Sequence, residues 1–245
     1  MIILSCIAIF SFFIMHLIEM ASFGSRVAGR VSNRIALGTT LQLSIVTISR
    51  FFLIPFLPVL GYLVESGILM KDYFFILLMT YLLCFCASIF ILFKLNTFQY
   101  FFQKVFNNYE HKTIPIAILK TALFYGSEIE LKSCEKFTFN RIVIKKTAAA
   151  CFAYLFLISG FFIAFMFAIL YPENRLTLSQ FTAAFHGVGA VIVAVYIDPM
   201  LSRSIDLNND NVSWLDNVYS IILGRVLSYF LALIVVSCYF LMQMI

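Results

Sequence analysis

The chain has 245 residues, of which 62% are hydrophobic and only 12% charged, and its net charge is +5; soluble domains carry about 25% charged residues. A mean hydropathy of +0.99 and several apolar runs of about 20 residues exclude a soluble globular domain, which would have no surface left to hydrate. The mild basic excess suits anionic lipid or an anionic substrate, and no nucleic acid is expected as a partner.

The first span is expected over residues 2–22, interrupted in polarity by His16 and Glu19 near its far end. No Lys or Arg precedes it, so a cleaved secretory signal is not expected. A basic connector, 24–34, follows. The second span, 35–63, carries Arg50 in mid-run and then Pro55 and Pro58, which should kink or loosen its distal half. The third, 73–93, is Phe/Leu-rich and featureless, and reads as the most lipid-exposed. Residues 94–147 are too polar to cross a membrane. Within them Phe98, Phe101, Phe102, Val105, Phe106 and Tyr109 recur at helical spacing opposite Gln99, Gln103, Lys104, Asn107 and Asn108, which predicts an amphipathic helix lying on the membrane surface. Thr113 and Pro115 open a second short helix ending near Phe124. Residues 126–146 receive no assignment. The fourth span covers 148–171 and a tight loop from Pro172 to Arg175 follows. The fifth covers 177–197, interrupted by His186-Gly187 and Gly189, and Asp198-Pro199 ends it before an acidic loop to about Asp216. The sixth covers 218–245, with Gly224-Arg225 inside. The fold class is therefore an all-α polytopic integral membrane protein of six transmembrane helices with a cytoplasmic amphipathic helical connector, read as a single membrane domain over 1–245.

Placed on one helix at about 100° per residue, His16, Glu19, Arg26, Arg30 and Arg34 fall within an arc of roughly 80°. A polar stripe thus starts inside an apolar helix and runs out of its end. Hydrocarbon tolerates such a stripe only under a cover of protein, water or polar ligand. Glu19 and Arg50, on neighbouring spans and of opposite charge, are the natural pair, with His16 one turn away to hydrogen-bond the carboxylate. They can serve coupling or gating, or simply hold two helices together. Arg225 and Asp198 are expected to pair structurally across spans five and six, and His186 is read as packing before proton relay. Arg26, Arg30 and Arg34 can anchor the chain to anionic headgroups, but three arginines at one-turn spacing also suit bidentate capture of a pyrophosphate, with Arg50 as a deeper contact.

Enzyme signatures are missing: there is no G-x-S-x-G, no H-E-x-x-H and no Walker lysine. The Gly24 to Gly29 spacing matches a phosphate loop by chance, since Arg30-Val31 follows it. The six cysteines read as small buried hydrophobes, and the Cys84-x-Cys86 pair lacks the second pair a zinc site needs. No metal and no cofactor is expected.

The succession His16-Leu-Ile-Glu19, Arg26-Val-Ala-Gly29 with Arg34, Ser49-Arg50, Pro58-Val-Leu-Gly61, Thr97-Phe-Gln99, Ile114-Pro115, Pro172-Glu173 and Ile197-Asp-Pro-x-Leu-Ser202 resembles the Amj family of bacterial lipid II flippases over nearly the whole chain. The departures are Val31, where the family pattern has a basic residue, and His186, where it has asparagine. The resemblance implies a transporter, not an enzyme. Such a protein moves lipid II, the undecaprenyl-pyrophosphate-linked peptidoglycan precursor, from the inner to the outer leaflet of the plasma membrane for cell wall synthesis, as an alternate to the larger MurJ-type flippase. The residues alone also leave open a transporter or scramblase of another polyprenyl-phosphate lipid, and a non-transporting membrane scaffold.

Orientation follows from Lys and Arg placement. The connectors 23–34, 94–147 and 199–217 carry three, nine and one of these residues, against Lys71 and Arg175 alone on the other side. Both termini should therefore face outward. Single cysteines placed at Lys71, at Arg175 and within 94–147 of a cysteine-free version check this: an impermeant reagent on intact cells should label only the first two.

Overall fold

The computed structural model describes residues 1–109, 113–123, 137–207 and 211–242. It is helical, with six helices long and apolar enough to cross a membrane. The fold is therefore that of an all-α multi-pass membrane protein.

The first span is longer than its apolar run. Helix α1 (Ile2–Ala21) continues almost without a break into α2 (Phe23–Val31). At the junction Ser22 keeps its main-chain bond to Ile18 O and turns its hydroxyl onto the Glu19 carbonyl, 2.6 Å away, a contact that bends helices. The expected connector at 24–34 is thus mostly helix. It ends at Asn33, whose φ of 55° is left-handed, with Arg34 N reaching back to Gly29 O at 2.7 Å. Asparagine is the residue after glycine that accepts this cap.

The second span is α3 (Ile35–Ser49) and α4 (Leu53–Glu65), joined by a 3₁₀ turn at Arg50–Phe52. Pro55 cannot donate to the Phe51 carbonyl, so the irregularity falls before the prolines and at Arg50, not in the distal half. Gly67, at φ 78°, caps α4. Helix α5 (Met70–Phe93) is the third span. Of the 18-residue apolar core of this span 44% of residues are buried, against 17% in the second and in the fifth spans. The expectation that the third is most lipid-exposed is therefore wrong. Its aromatics explain why: Phe74 stacks on Tyr239 at 3.9 Å, Phe85 on Phe230 at 5.5 Å, and the Tyr73 hydroxyl donates to Phe162 O at 2.6 Å.

In the connector, α6 (Leu95–Tyr109) and α7 (Ile114–Leu123) form as expected, but α6 does not lie with its polar side in water. Gln99, Gln103 and Lys104 are buried along with Phe102 and Phe106, because α6 packs on α2. A Cβ on Gly24 would stand 2.7 Å from Phe98 Cβ, so the glycine admits the approach. Of the apolar face of α6 Tyr109 is exposed, and on α7 Ile116, Leu119 and Leu123 are exposed. Of the unassigned stretch, 137–143 includes a 3₁₀ turn at Phe139–Arg141, with Phe137 set among Phe93, Phe139 and Tyr219, and 144–146 open the next helix; Phe124 and 126–136 lie outside the described residues.

Helix α8 (Ile144–Leu170) is the fourth span. The fifth does not stop at Asp198-Pro199. Helix α9 (Arg175–Ile192) passes through a π turn at Val193–Ile197 into α10 (Asp198–Leu207). The wide turn bonds Asp198 N to Val193 O and lets the chain pass the proline without breaking. Most of the expected acidic loop is therefore helix, Asp198–Leu207 on one side and the start of Asn211–Met242 on the other. Gly189 does not interrupt the helix either: it brings α9 onto α8, where its Cβ would meet Ala153 O at 2.7 Å. Helix α11 (Asn211–Met242) is the sixth span.

Helix α1 packs against α4 and α5, α11 against α5 and α8, and α9 along α8. One end of the bundle gathers Arg34 with Phe106 O, Val143 N with Ser220 Oγ, and Lys146 with Asn217. The other gathers Ser66 with Met1, and Arg175 with Glu65 O. The glycine crossings should be felt in stability. A Cβ on Gly224 would lie 2.5 Å from Thr147 O, whereas Gly187 has open space around it. Gly224→Val should lower the thermal unfolding midpoint in detergent, at a cost of about 1–3 kcal/mol. Gly187→Ala should leave that midpoint unchanged or raise it, by up to about 1 kcal/mol.

Candidate functional site

Seven of the nine residues singled out in the sequence line one cavity of about 300 Å³: His16, Glu19, Arg26, Arg50, His186, Asp198 and Arg225. The partners inside it differ from those expected. Glu19 does not pair with Arg50. Its Oε2 accepts from Arg225 Nη2 at 2.5 Å, and its Oε1 lies 3.4 Å from Ser49 Oγ, whose single proton goes to Val46 O at 2.8 Å. The helical step explains the exchange: residues 49 and 50 point about 100° apart, and the buried Ser49 faces α1 while Arg50 is exposed.

Arg225 is nearly wholly buried and fully engaged. Besides Glu19 it reaches Tyr229 Oη at 3.3 Å and lies over the Tyr154 ring at 4.7 Å. Its Nη2 also stands 2.7 Å from His16 Nδ1. A guanidinium only donates, so Nδ1 is the acceptor and the ring proton sits on Nε2. His16 therefore does not donate to Glu19, although the two side chains approach to 3.5 Å. Toward the Met1 end the cavity stops at Phe12, Phe56 and Phe162, which pack within 6 Å of one another, with Phe12 against His16.

Asp198 does not pair with Arg225. Its Oδ1 accepts from Arg26 Nη2 at 3.0 Å. Arg225 is already held by Glu19, and the π turn carries Asp198 to the α2 side of the cavity. Seven residues separate Glu19 from Arg26, so the two ion pairs sit about 10 Å apart along the first span. Arg30 and Arg34 fall outside the cavity. Arg34 donates to Phe106 O at 3.2 Å and so helps to hold α6. The stripe lines the cavity as far as Arg26; beyond it Arg34 turns to the connector.

Arg50 stands apart. Among the described residues none hydrogen-bonds to its guanidinium or forms an ion pair with it. The cavity thus holds three arginines and two carboxylates, and the surplus cation is the exposed one. Across from Arg50, Val46 and Leu43 on α3 stand His186, Ala190, Val193 and Ala194 of the fifth span. These are the two least buried spans, so the cavity lies beside the lipid-facing flank of the bundle. His186 packs 4.9 Å from the Phe161 ring, and its Nδ1 is buried with no hydrogen-bond partner among the described residues. Gln42, Ser49 and Tyr154 were missed in the sequence. Gln42 shares a face with Arg50 at i, i+4, i+8, a signal that was present; nothing in the sequence marks Tyr154.

A family model described as Amj, alternate to MurJ, matches residues 11–241. No curated protein and no solved structure matches the chain.

Removing one partner of a buried ion pair costs about 3–5 kcal/mol, whereas replacing both by apolar groups can be neutral. Glu19→Leu and Arg225→Met should each sharply reduce the thermal midpoint in detergent. The double variant should return close to the parent, and additive losses would mean that the two groups act independently.

Proposed function

The chain belongs to the Amj family, described as alternate to MurJ, and from that premise we propose that it is a lipid II flippase of the bacterial plasma membrane. It carries the undecaprenyl-pyrophosphate-linked disaccharide peptide from the inner to the outer leaflet for cell wall synthesis, with both termini outside the cytoplasm. The observation that carries this reading is Arg50: a guanidinium in mid-span with no hydrogen-bond or ion-pair partner among the described residues, lining a largely apolar cavity that holds a few charged groups at the flank of the bundle.

The substrate has three parts with different solvents. Its isoprenoid tail is content in lipid, its pyrophosphate is anionic, and its sugar-peptide head cannot cross hydrocarbon. A cavity between the second and fifth spans lets the tail stay outside while the phosphates enter. Arg50 supplies charge-assisted donors where water is scarce and attraction is strong. The two carboxylates offset Arg26 and Arg225, so that neither buried cation stands alone between substrates. Substrate phosphate then competes with Asp198 for Arg26 at the connector end. Arg30 and Arg34, one and two turns farther out, draw the anionic lipid toward that end. Outward movement of an anion is also downhill in an inside-negative potential, by about 2.3 kcal/mol per charge per 100 mV. The reading requires no cofactor.

Translocation of lipid II by the purified protein in liposomes is the direct test. Arg50→Ala should reduce the rate by about 10- to 100-fold, the worth of a charged hydrogen-bond pair. It should leave insertion and monodispersity intact. Arg50→Lys should recover part of the rate, because the bidentate fork is lost while the charge remains. Parental rates in both variants would reduce Arg50 to a bystander and leave the scaffold reading standing.

A further inference from the structure

The cavity is small for the whole of such a head group. About 300 Å³ is the lower end of what encloses a drug-sized ligand, and a disaccharide bearing a peptide is several times larger. The polar groups are also unevenly placed. Arg50 is the surplus cation. Gln42, buried to 6% exposure, lines the same wall with its Oε1 unpartnered. Arg26 Nε lacks a partner nearby, and so does His186 Nδ1 across the cavity. Buried polar atoms left without partners are costly, and a ligand that supplies them gains that cost back as affinity. Gln42 and Arg50 are eight residues apart, about 12 Å along the helix. A diphosphate and one pyranose ring together fill such a length, with phosphate oxygens at Arg50 and a sugar hydroxyl donating to Gln42 Oε1. Gln42 is the nearer of the two to the connector end, which is the end where a cytoplasmic head group would lie.

We propose that this cavity reads the diphosphate and first sugar ring of a polyprenyl-diphosphate glycolipid, and leaves whatever that sugar carries outside, so that substrate choice is made at Arg50 and Gln42. The lipid class rests on the flippase reading; the division of the head group rests on the cavity. The protein would accordingly accept prenyl-diphosphate sugars whether or not they bear a peptide, and would discriminate against the sugar-free carrier.

The test is equilibrium binding to the full chain in lipid nanodiscs, with three short-chain prenyl-diphosphate probes: disaccharide-peptide, peptide-free monosaccharide, and sugar-free. The first two should bind within about twofold of each other, and the third about tenfold more weakly, the worth of one buried hydrogen bond. Gln42→Leu should weaken the two sugar-bearing probes about tenfold and leave the sugar-free probe unchanged. The inference is overturned if the peptide-bearing probe binds tenfold more tightly than the monosaccharide, if all three bind alike, if none binds, or if Gln42→Leu weakens all three equally. Should Gln42→Leu fail to fold, the ranking of the three probes on the parent decides. The expected ranking without any translocation in liposomes would overturn the flippase reading and leave this one intact. Translocation that requires the peptide would do the reverse.

Discussion

The contact between Glu19 and Arg225 is the constraint from which the rest of the interior follows. Two charges in a membrane-embedded bundle must find each other or remain uncompensated, and here they tie the first span to the last. Tyr154 and Tyr229 complete the cage round the guanidinium, and Ser49 stands against the carboxylate. Four spans thereby converge on one buried point. Every group on the cavity wall takes its place relative to that point, including the arginine that is left over.

Much of the architecture was legible because a membrane asks a simple question of a sequence. Apolar runs long enough to cross it are unmistakable, and all six are legible, although the first and fifth helices run on past the apolar run, to Val31 and Leu207. The polar stripe on the first span was legible for the same reason: a repeat at helical spacing survives any tertiary arrangement. Partner choice was not. Pairing Glu19 with Arg50 followed chain adjacency, whereas the bundle sets α1 beside α11 as well. A single helical step then decided which of Ser49 and Arg50 faces the carboxylate. The sequence marks Arg225 as an intramembrane charge but points it to Asp198, because an Asp-Pro dipeptide reads as a helix end.

The connector teaches the complementary limit. Periodicity showed that α6 has two faces, and it has. It could not show what covers each face. In water the polar side would be bare; here Gln99, Gln103 and Lys104 are buried, and an apolar surface remains open on the shorter α7 instead. A hydrophobic pattern reports contrast between faces. Which face ends up covered depends on neighbours that lie far away in sequence, such as the bare glycine at Gly24.

The wide turn at Val193–Ile197 matters beyond letting the chain pass a proline. An α-helix that takes in one surplus residue absorbs it as such a turn, so this segment acts as a counting device. Everything before it is phased to α8 through Gly189, and everything after it is phased to α2 through Asp198. Shorten the segment by a single residue and the helix becomes regular, but α10 then rotates by about 100° and the carboxylate leaves Arg26. At this place the length of the chain carries information that no side chain does. Two proteins identical in every functional group but differing here by one residue would have differently charged cavities.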